Sequence, residues 1–373
     1  MIPVNEPVIS RNANKYIKDC LDSGWISSAG KYIEQFENNF KNYIGSGFAV
    51  TTTSGTSALH LALAASGIKS GDEVIMPDLT IISCALSAIY VGAKPVLVDV
   101  EKSTGNIDPS KIEEMISKKT KAIMVVHLYG HPVNIEPILK LAKKYNLLLI
   151  EDAAEAHGAK VKVNGKWQKA GSVGDISCFS FYGNKIVTTG EGGMLLTNNQ
   201  DIFKKATLLK DLAHVPEKRF FHEEVGYNFR MTNLQAALGV AQLGEIDKYL
   251  KKKRWMAKKY SDALKNIEFL ELPKEEPYAR NVFWMYAPRV KRNSKITRDD
   301  FCNQLKNMGV DNRTYFVPLH KQTVLKKFNY KNKDYPITSD LSDRGFYLPS
   351  GLALTMPQIN KVISAVKAIA RNI

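Results

Sequence analysis

At 373 residues, 44% hydrophobic and 24% charged, the chain is long enough to bury a full core and to form two domains, as an ordinary enzyme does. Lysine and arginine outnumber the acids by 52 to 37, a formal net charge of +15, but they are spread along the chain, thickest in 246–266 and 325–333, with no arginine-aromatic block. That pattern favours a solvated basic surface that gathers anionic small molecules over a nucleic-acid interface, and the absence of eighteen uninterrupted apolar residues argues against a membrane span.

The N-terminal Met-Ile-Pro-Val-Asn-Glu-Pro has neither a basic nor an apolar leader region, so secretion is not expected. Cys20, Cys84, Cys178 and Cys302 are far apart, without the C-x-x-C spacing of a zinc or redox site. They are expected to be free thiols in a reducing cytoplasm, and no metal is expected.

Residues 12–44 read as two short helices around Asp22-Ser-Gly-Trp-Ile-Ser-Ser-Ala-Gly30, a loop expected to pack on something through Trp25. Phe48-Ala-Val-Thr-Thr is a β-branched strand that turns through Ser54-Gly55-Thr56 into an Ala/Leu-rich helix ending at Gly67. A turn of small residues at a helix N-terminus bares backbone N–H groups and suits a phosphate, although such joints are common and the signal is weak alone.

Alternation then continues through strands at 73–77, 95–100 and 122–129 and helices at 81–91, near 109–117 and at 134–145. The next strand, Leu147-Leu-Leu-Ile-Glu-Asp152, reads as buried on both faces, with Glu151 and Asp152 at its carboxyl end. Acids placed there are expected to point into the crevice where open α/β sheets bind ligands. A cap for the following helix is an equally good reading of Asp152 by itself.

The next stretch, Asp175 to Met194, delivers Lys185 from an apolar strand into a segment of small and hydroxyl residues. Lysines taken singly are usually solvated. An apolar setting, however, disfavours the ammonium form and frees the amine for a Schiff base with an aldehyde, and Ser180, five residues earlier, is placed to hold a phosphate.

Strands separated by helices of these lengths predict a wound, mostly parallel sheet with helices on both faces. That α/β layer, with the N-terminal segment, is assigned to residues 1–245. A lysine-rich helix around 246–265 opens a smaller α+β unit, 246–373, with strands expected at 282–288 and 312–317 and helices starting at Thr297 and Thr355.

Taken together, Ser54-Gly-Thr56, Gly71-Asp-Glu-Val-Ile-Met-Pro77, Glu151-Asp-Ala-Ala-Glu-Ala-His-Gly158, Phe179-Ser-Phe-Tyr-Gly-Asn-Lys185, Thr189-Gly-Glu-Gly-Gly193 and Gly226-Tyr-Asn-Phe-Arg-Met-Thr-Asn233 resemble the DegT/DnrJ/EryC1/StrS sugar aminotransferases. The likeness runs the length of the chain. It implies the aspartate-aminotransferase (type I) fold, pyridoxal 5'-phosphate as cofactor with pyridoxamine 5'-phosphate as its intermediate form, and a homodimer with shared sites.

By that resemblance Lys185 holds the cofactor aldehyde and shuttles the proton. Asp152 pairs with the pyridine nitrogen, Glu155 lies by the ring hydroxyl, and Gly55, Thr56 and Ser180 grip the phosphate. Asn228 reaches the phosphate of the neighbouring subunit, although composition alone makes it a turn residue. L-glutamate is the implied donor and a nucleotide-linked 4-keto-6-deoxyhexose the acceptor.

Trp25-Ile-Ser-Ser28, His127-Leu-Tyr-Gly-His-Pro132, Gly183-Asn-Lys185, Phe283-Trp-Met-Tyr286, Arg313 and Pro318-Leu-His320 narrow the likeness to enzymes that aminate C4 of GDP-4-keto-6-deoxymannose. Trp25, Ser27, Arg313 and His320 are the implied substrate contacts, against plain packing for Trp25 and a satisfied loop histidine for His320.

Ile81 departs from the pattern, standing where these enzymes place an aromatic ring or histidine over the cofactor. Alternatives are a dTDP-sugar 4-aminotransferase, a sugar 3-aminotransferase, and a non-catalytic regulatory or nucleic-acid-binding protein on the same fold. A sugar dehydratase of the family carries histidine in place of Lys185. A binder is free to lose Lys185 or Asp152, and this chain keeps both.

Overall fold

The computed structural model describes every residue except 216, 217 and 219. Helices α1 (Asn12–Ser23) and α2 (Lys31–Ile44) each stop at a glycine with positive φ, Gly24 and Gly45. The stripe Tyr32, Phe36, Phe40 and Ile44, one residue per turn, buries the inner face of α2. After them come β1 (Phe48–Thr52), α3 (Gly55–Ala65), β2 (Glu73–Pro77), α4 (Ser83–Tyr90), β3 (Lys94–Val98), β4 (Thr120–Val126), α5 (Ile135–Tyr145) and β5 (Leu148–Asp152).

An antiparallel hairpin of β6 (Lys160–Val163) and β7 (Lys166–Lys169) interrupts the alternation before β8 (Ile176–Ser180) and β9 (Gly193–Thr197). Helices α6 (Gln200–Lys210), α7 (Asn233–Leu243), α8 (Ile246–Leu264), α9 (Arg298–Asn307), α10 (Pro336–Arg344) and α11 (Met356–Ala370) complete the chain. Gly239 lets α7 approach α2, since a Cβ there would lie 2.6 Å from the Phe36 ring.

The seven-stranded sheet has the order β1-β9-β8-β5-β4-β2-β3. Only β9 runs against the others, pairing antiparallel with both β1 and β8. Alternate residues of each strand feed opposite cores: Val74, Met76, Met124 and Ile150 pack with α3, α4 and α6, whereas Ile75, Ile123, Val125 and Leu149 pack with α5. The fold is the α/β, mostly parallel arrangement expected from the sequence. A separate apolar cluster joins α8, α9 and α11, and Ile2 from the N-terminus packs into it.

Three local expectations give way. Residues 109–117 form two 3-10 turns, Pro109–Lys111 and Glu113–Met115, in place of a helix. Residues 282–288 form no regular strand; they make one isolated bridge, Tyr286 to Leu348, and scattered main-chain bonds, Val282 N–H to Gly130 O at 3.2 Å and Phe346 N–H to Pro288 O at 3.1 Å. Phe283 has φ +51° and gives its N–H to Asn281 Oδ1 at 2.6 Å, a local bond that competes with a ladder. The strand expected over 312–317 contracts to Arg313–Thr314. The helix starts at Thr297 and Thr355 stand: the Thr297 hydroxyl accepts the Asp300 N–H, and Gln358 Oε1 reaches back to accept from the Thr355 N–H and hydroxyl.

Candidate active site

A cavity of about 290 Å³ opens at the carboxyl ends of β5 and β8, bordered by the N-terminus of α3. Period-two alternation decides which acid of β5 reaches it. Asp152, in step with Ile150, lines the cavity, while Glu151 goes to the opposite face. The expectation that both acids enter the crevice therefore holds only for Asp152.

Glu151 is a structural anchor. His127 takes the Val133 N–H on Nδ1 at 3.1 Å, so its proton sits on Nε2 and is donated to Glu151 Oε2 at 2.9 Å. The N–H groups of Gly171, Val173 and Gly174 also donate to Glu151, at 2.8, 2.8 and 2.6 Å. Burial acts to raise this carboxyl, but the bonds from His127 and the backbone prevail and hold it below its ordinary value.

Asp152 is less well satisfied. Oδ1 takes the Ala154 N–H at 3.0 Å, and Oδ2 takes the Cys84 thiol at 3.2 Å. Burial pushes Asp152 upward, opposed by those two bonds and by the Lys185 charge. Burial also raises the Cys84 thiol well above its usual range, so it remains S–H and acts as a donor. Sequence reasoning missed Cys84, because nothing but its position in the first turn of α4 links it to β5.

Lys185 lies in the loop between β8 and β9, where its N–H closes a turn onto Tyr182 O at 2.8 Å. Its side chain is only 10% exposed, with Nζ 3.8 Å from Glu155 Oε1 and 4.0 Å from the centroid of the Trp284 ring. Glu155 also accepts the Tyr129 N–H at 2.7 Å. Burial pushes Glu155 up to about 7 against the pull of Lys185, and burial likewise lowers Lys185 against the pull of Glu155 and Asp152. Both shifts have one cause: dehydration penalises each charge, and attraction across 3.8 Å does not cancel it. The amine is thereby moved toward its neutral, nucleophilic form.

The other wall is a cradle of small residues. Ser54 caps α3 by accepting the Ser57 N–H, and Thr56 Oγ1 donates to Ser83 Oγ at 2.9 Å. A Cβ on Gly55 would lie 2.8 Å from Ser180 Cβ, so only glycine lets the helix start approach Ser180 this closely. An unpaired first turn carries partial positive charge and free N–H donors, the setting that binds a phosphate. Pyridoxal phosphate fits these residues: an anion site at Gly55, Thr56 and Ser180, a buried amine at Lys185, a carboxylate at Asp152, and apolar walls from Val126, Ile81 and Trp284.

Gly55, Thr56, Asp152, Glu155, Ser180 and Lys185 are thus brought together, and Ile81, 40% exposed, borders the same cavity. Trp284, Phe316 and Glu191, from stretches read in the sequence but given no site role there, and Tyr347 also line it. Asn228, Trp25, Ser27, Arg313 and His320 do not line it. Asn228 is exposed and accepts from Arg230 Nε. Trp25 and Ser27 are exposed and pinned by Asn233, which donates to their carbonyls. Arg313 pairs with Asp311 at 3.0 Å. His320 is buried, with Nδ1 2.5 Å from Asp78 Oδ2 and its ring stacked on Tyr335.

The DegT/DnrJ/EryC1/StrS aminotransferase family pattern matches residues 7–367. GDP-perosamine synthase of Caulobacter vibrioides is 42% identical over 370 residues, 99% of this chain and 98% of the relative. GDP-perosamine synthase of Escherichia coli O157:H7 is 41% identical over 366 residues, 98% of this chain and 97% of the relative. Among solved structures, S. venezuelae DesV in complex with a ketimine intermediate superposes with a TM-score of 0.90 at 31% identity, covering 97% of this chain and 95% of that one.

Proposed function

The chain belongs to the DegT/DnrJ/EryC1/StrS aminotransferase family, and from that premise we propose that it moves the amino group of L-glutamate to C4 of GDP-4-keto-6-deoxymannose, giving GDP-perosamine. Membership implies a pyridoxal-phosphate-dependent sugar aminotransferase, and the GDP-linked substrate is supported by the names of the relatives at 41 and 42% identity.

The observation that carries the reading is the buried Lys185 amine, 3.8 Å from Glu155, in one cavity with Asp152 and the cradle of Gly55, Thr56 and Ser180. Pyridoxal phosphate bound there supplies the electron sink that allows a carbon–nitrogen bond to be exchanged by moving protons. Lys185 is assigned to hold the aldehyde carbon and then, as a free amine, to take and return the proton at the substrate carbon. Asp152 orients the pyridine nitrogen, and Cys84 holds that carboxylate in place. Glu155 is assigned to the ring-hydroxyl side, and Gly55, Thr56 and Ser180 to the phosphate.

The proposal includes a homodimer in which Asn228 acts across the interface, with Trp25, Ser27 and Arg313 as contacts of the nucleotide sugar. The absence of Asn228 from the chain's own cavity lining and the exposure of Trp25, at 58%, support it. His320, engaged with Asp78, is assigned to holding the end of β2 and not to direct contact. Residues 1–245 carry the cofactor and 246–373 close over it. The reaction is placed in the cytoplasm, and no described helix is long and apolar enough to cross a membrane.

A single-turnover assay tests the substrate. The chain is loaded with pyridoxamine 5'-phosphate and offered GDP- and dTDP-linked 4-keto-6-deoxy sugars in turn. The GDP sugar is expected to restore the pyridoxal phosphate spectrum, and faster restoration by a dTDP sugar overturns the nucleotide assignment.

A further inference from the structure

Lys253, on α8, is 1% exposed, yet no ion pair holds its ammonium among the described residues. It donates instead to two main-chain carbonyls, Trp284 O at 2.8 Å and Ser350 O. Burial without a counter-charge pushes this lysine down to about 7. A methionine would fill the same space without that dehydration penalty, so the two carbonyls are the feature a lysine serves.

They belong to the irregular part of the chain. Residues 284–286 and 348–350 meet through a single bridge, Tyr286 to Leu348. Ser350 adds to it by accepting the Tyr286 N–H at 2.9 Å and donating to Leu348 O at 2.7 Å. Lacking a ladder, the segment that carries Trp284 has main-chain bonds only at Val282, Tyr286 and Pro288 among the described residues, and the Trp284 carbonyl itself is held by the Lys253 side chain. The Trp284 indole N–H donates to Asn184 O at 2.8 Å, next to Lys185 in sequence, and its ring centroid stands 4.0 Å from Lys185 Nζ. Trp284 is therefore gripped at its carbonyl by Lys253 and at its indole by the loop that bears the reactive amine.

We propose that Lys253 is a positioning residue: by holding the Trp284 carbonyl it keeps the indole face over the Lys185 amine and so sets how readily that amine carries a proton. The aromatic face favours the ammonium form, and a slackened indole withdraws that support. The role rests on Lys185 being the reactive amine, but it is tested on the amine's own titration and not on turnover, so its failure is distinguishable from failure of the aminotransferase reading.

The full-length chain, freed of cofactor, is reductively methylated with formaldehyde and cyanoborohydride across a pH series, and modification of the Lys185 peptide is followed by mass spectrometry. In Lys253→Met the midpoint is expected to move to lower pH, with labelling at a fixed pH below it about 3-fold faster. In a Trp284→Leu background the same substitution should move the midpoint no further. A midpoint that stays in place, rises, or moves equally with and without Trp284 overturns the proposal and leaves Lys253 a staple that affects only melting. If Lys253→Met does not fold, Lys253→Gln, which keeps a donor on a shorter stem, must show part of the same displacement, and its absence overturns the proposal equally.

Discussion

Two carboxylates four residues apart, Glu151 and Glu155, are both buried and titrate in opposite directions. Glu151 receives four N–H donors and is held below its ordinary value. Glu155 receives one backbone donor and a lysine 3.8 Å away, and burial takes it up to about 7. Depth is the same in the two places; the supply of donors differs. A carboxylate whose hydrogen bonds are complete fixes the fold, and one left short of partners beside a cavity is free to respond to what enters.

The sharpest break between the two places comes from the cavity side. Lys185→Ala is expected to reduce transamination by about 10³-fold or more with the far-ultraviolet circular dichroism unchanged; residual activity within about tenfold of the parent removes Lys185 from its assigned role. On the other side, Glu151→Ala strands His127 and three backbone N–H groups and should cost roughly 3–5 kcal/mol of stability by denaturant unfolding. A cost below about 1 kcal/mol would erase the distinction between the two acids.

A pH series sharpens the contrast further. Because the folded state raises Glu155 from 4.5 to about 7, it binds more protons than the unfolded chain in that window. Its contribution is complete below pH 4.5 and is lost as pH rises through about 7, at up to about 1.4 kcal/mol per pH unit. Glu155→Gln should flatten that slope, read as the denaturation midpoint at successive pH values; an unchanged slope assigns it to another group. The smallest effect is expected at Ile81. An aliphatic side chain there gives up ring stacking, so Ile81→Tyr should tighten cofactor retention on dialysis by about 2- to 10-fold. Equal loss from both proteins would show that Trp284 and the other walls already suffice.

The βα alternation, the helix starts at Thr297 and Thr355, and the cluster of Gly55, Thr56, Asp152, Ser180 and Lys185 were legible because each depends on nearby residues: apolar periodicity, hydroxyl caps, small residues at a strand end. The hairpin at 160–169 was not read, although Val161 and Val163 alternate with lysines, because four-residue strands give too short a pattern. The failure at 282–288 has a different cause. Its aromatic residues suit a strand, but Asn281, Lys253 and Ser350 take up its backbone groups one at a time.

Local chemistry thus determined which small residues, strand-end acid and apolar-flanked lysine this protein offers, the ones to which the phosphate, ring-nitrogen and aldehyde contacts are proposed, since turn-forming small residues and strand-end acids act over a few positions in the chain. Only the tertiary structure decided that Asp152 and not Glu151 enters the cavity, that Cys84 steadies it, and that Trp284 reaches Lys185 from about a hundred residues away with Lys253 behind its carbonyl. Those are matters of which face a side chain takes and which buried polar group finds a partner, and both are settled by packing between segments that the order of residues leaves far apart.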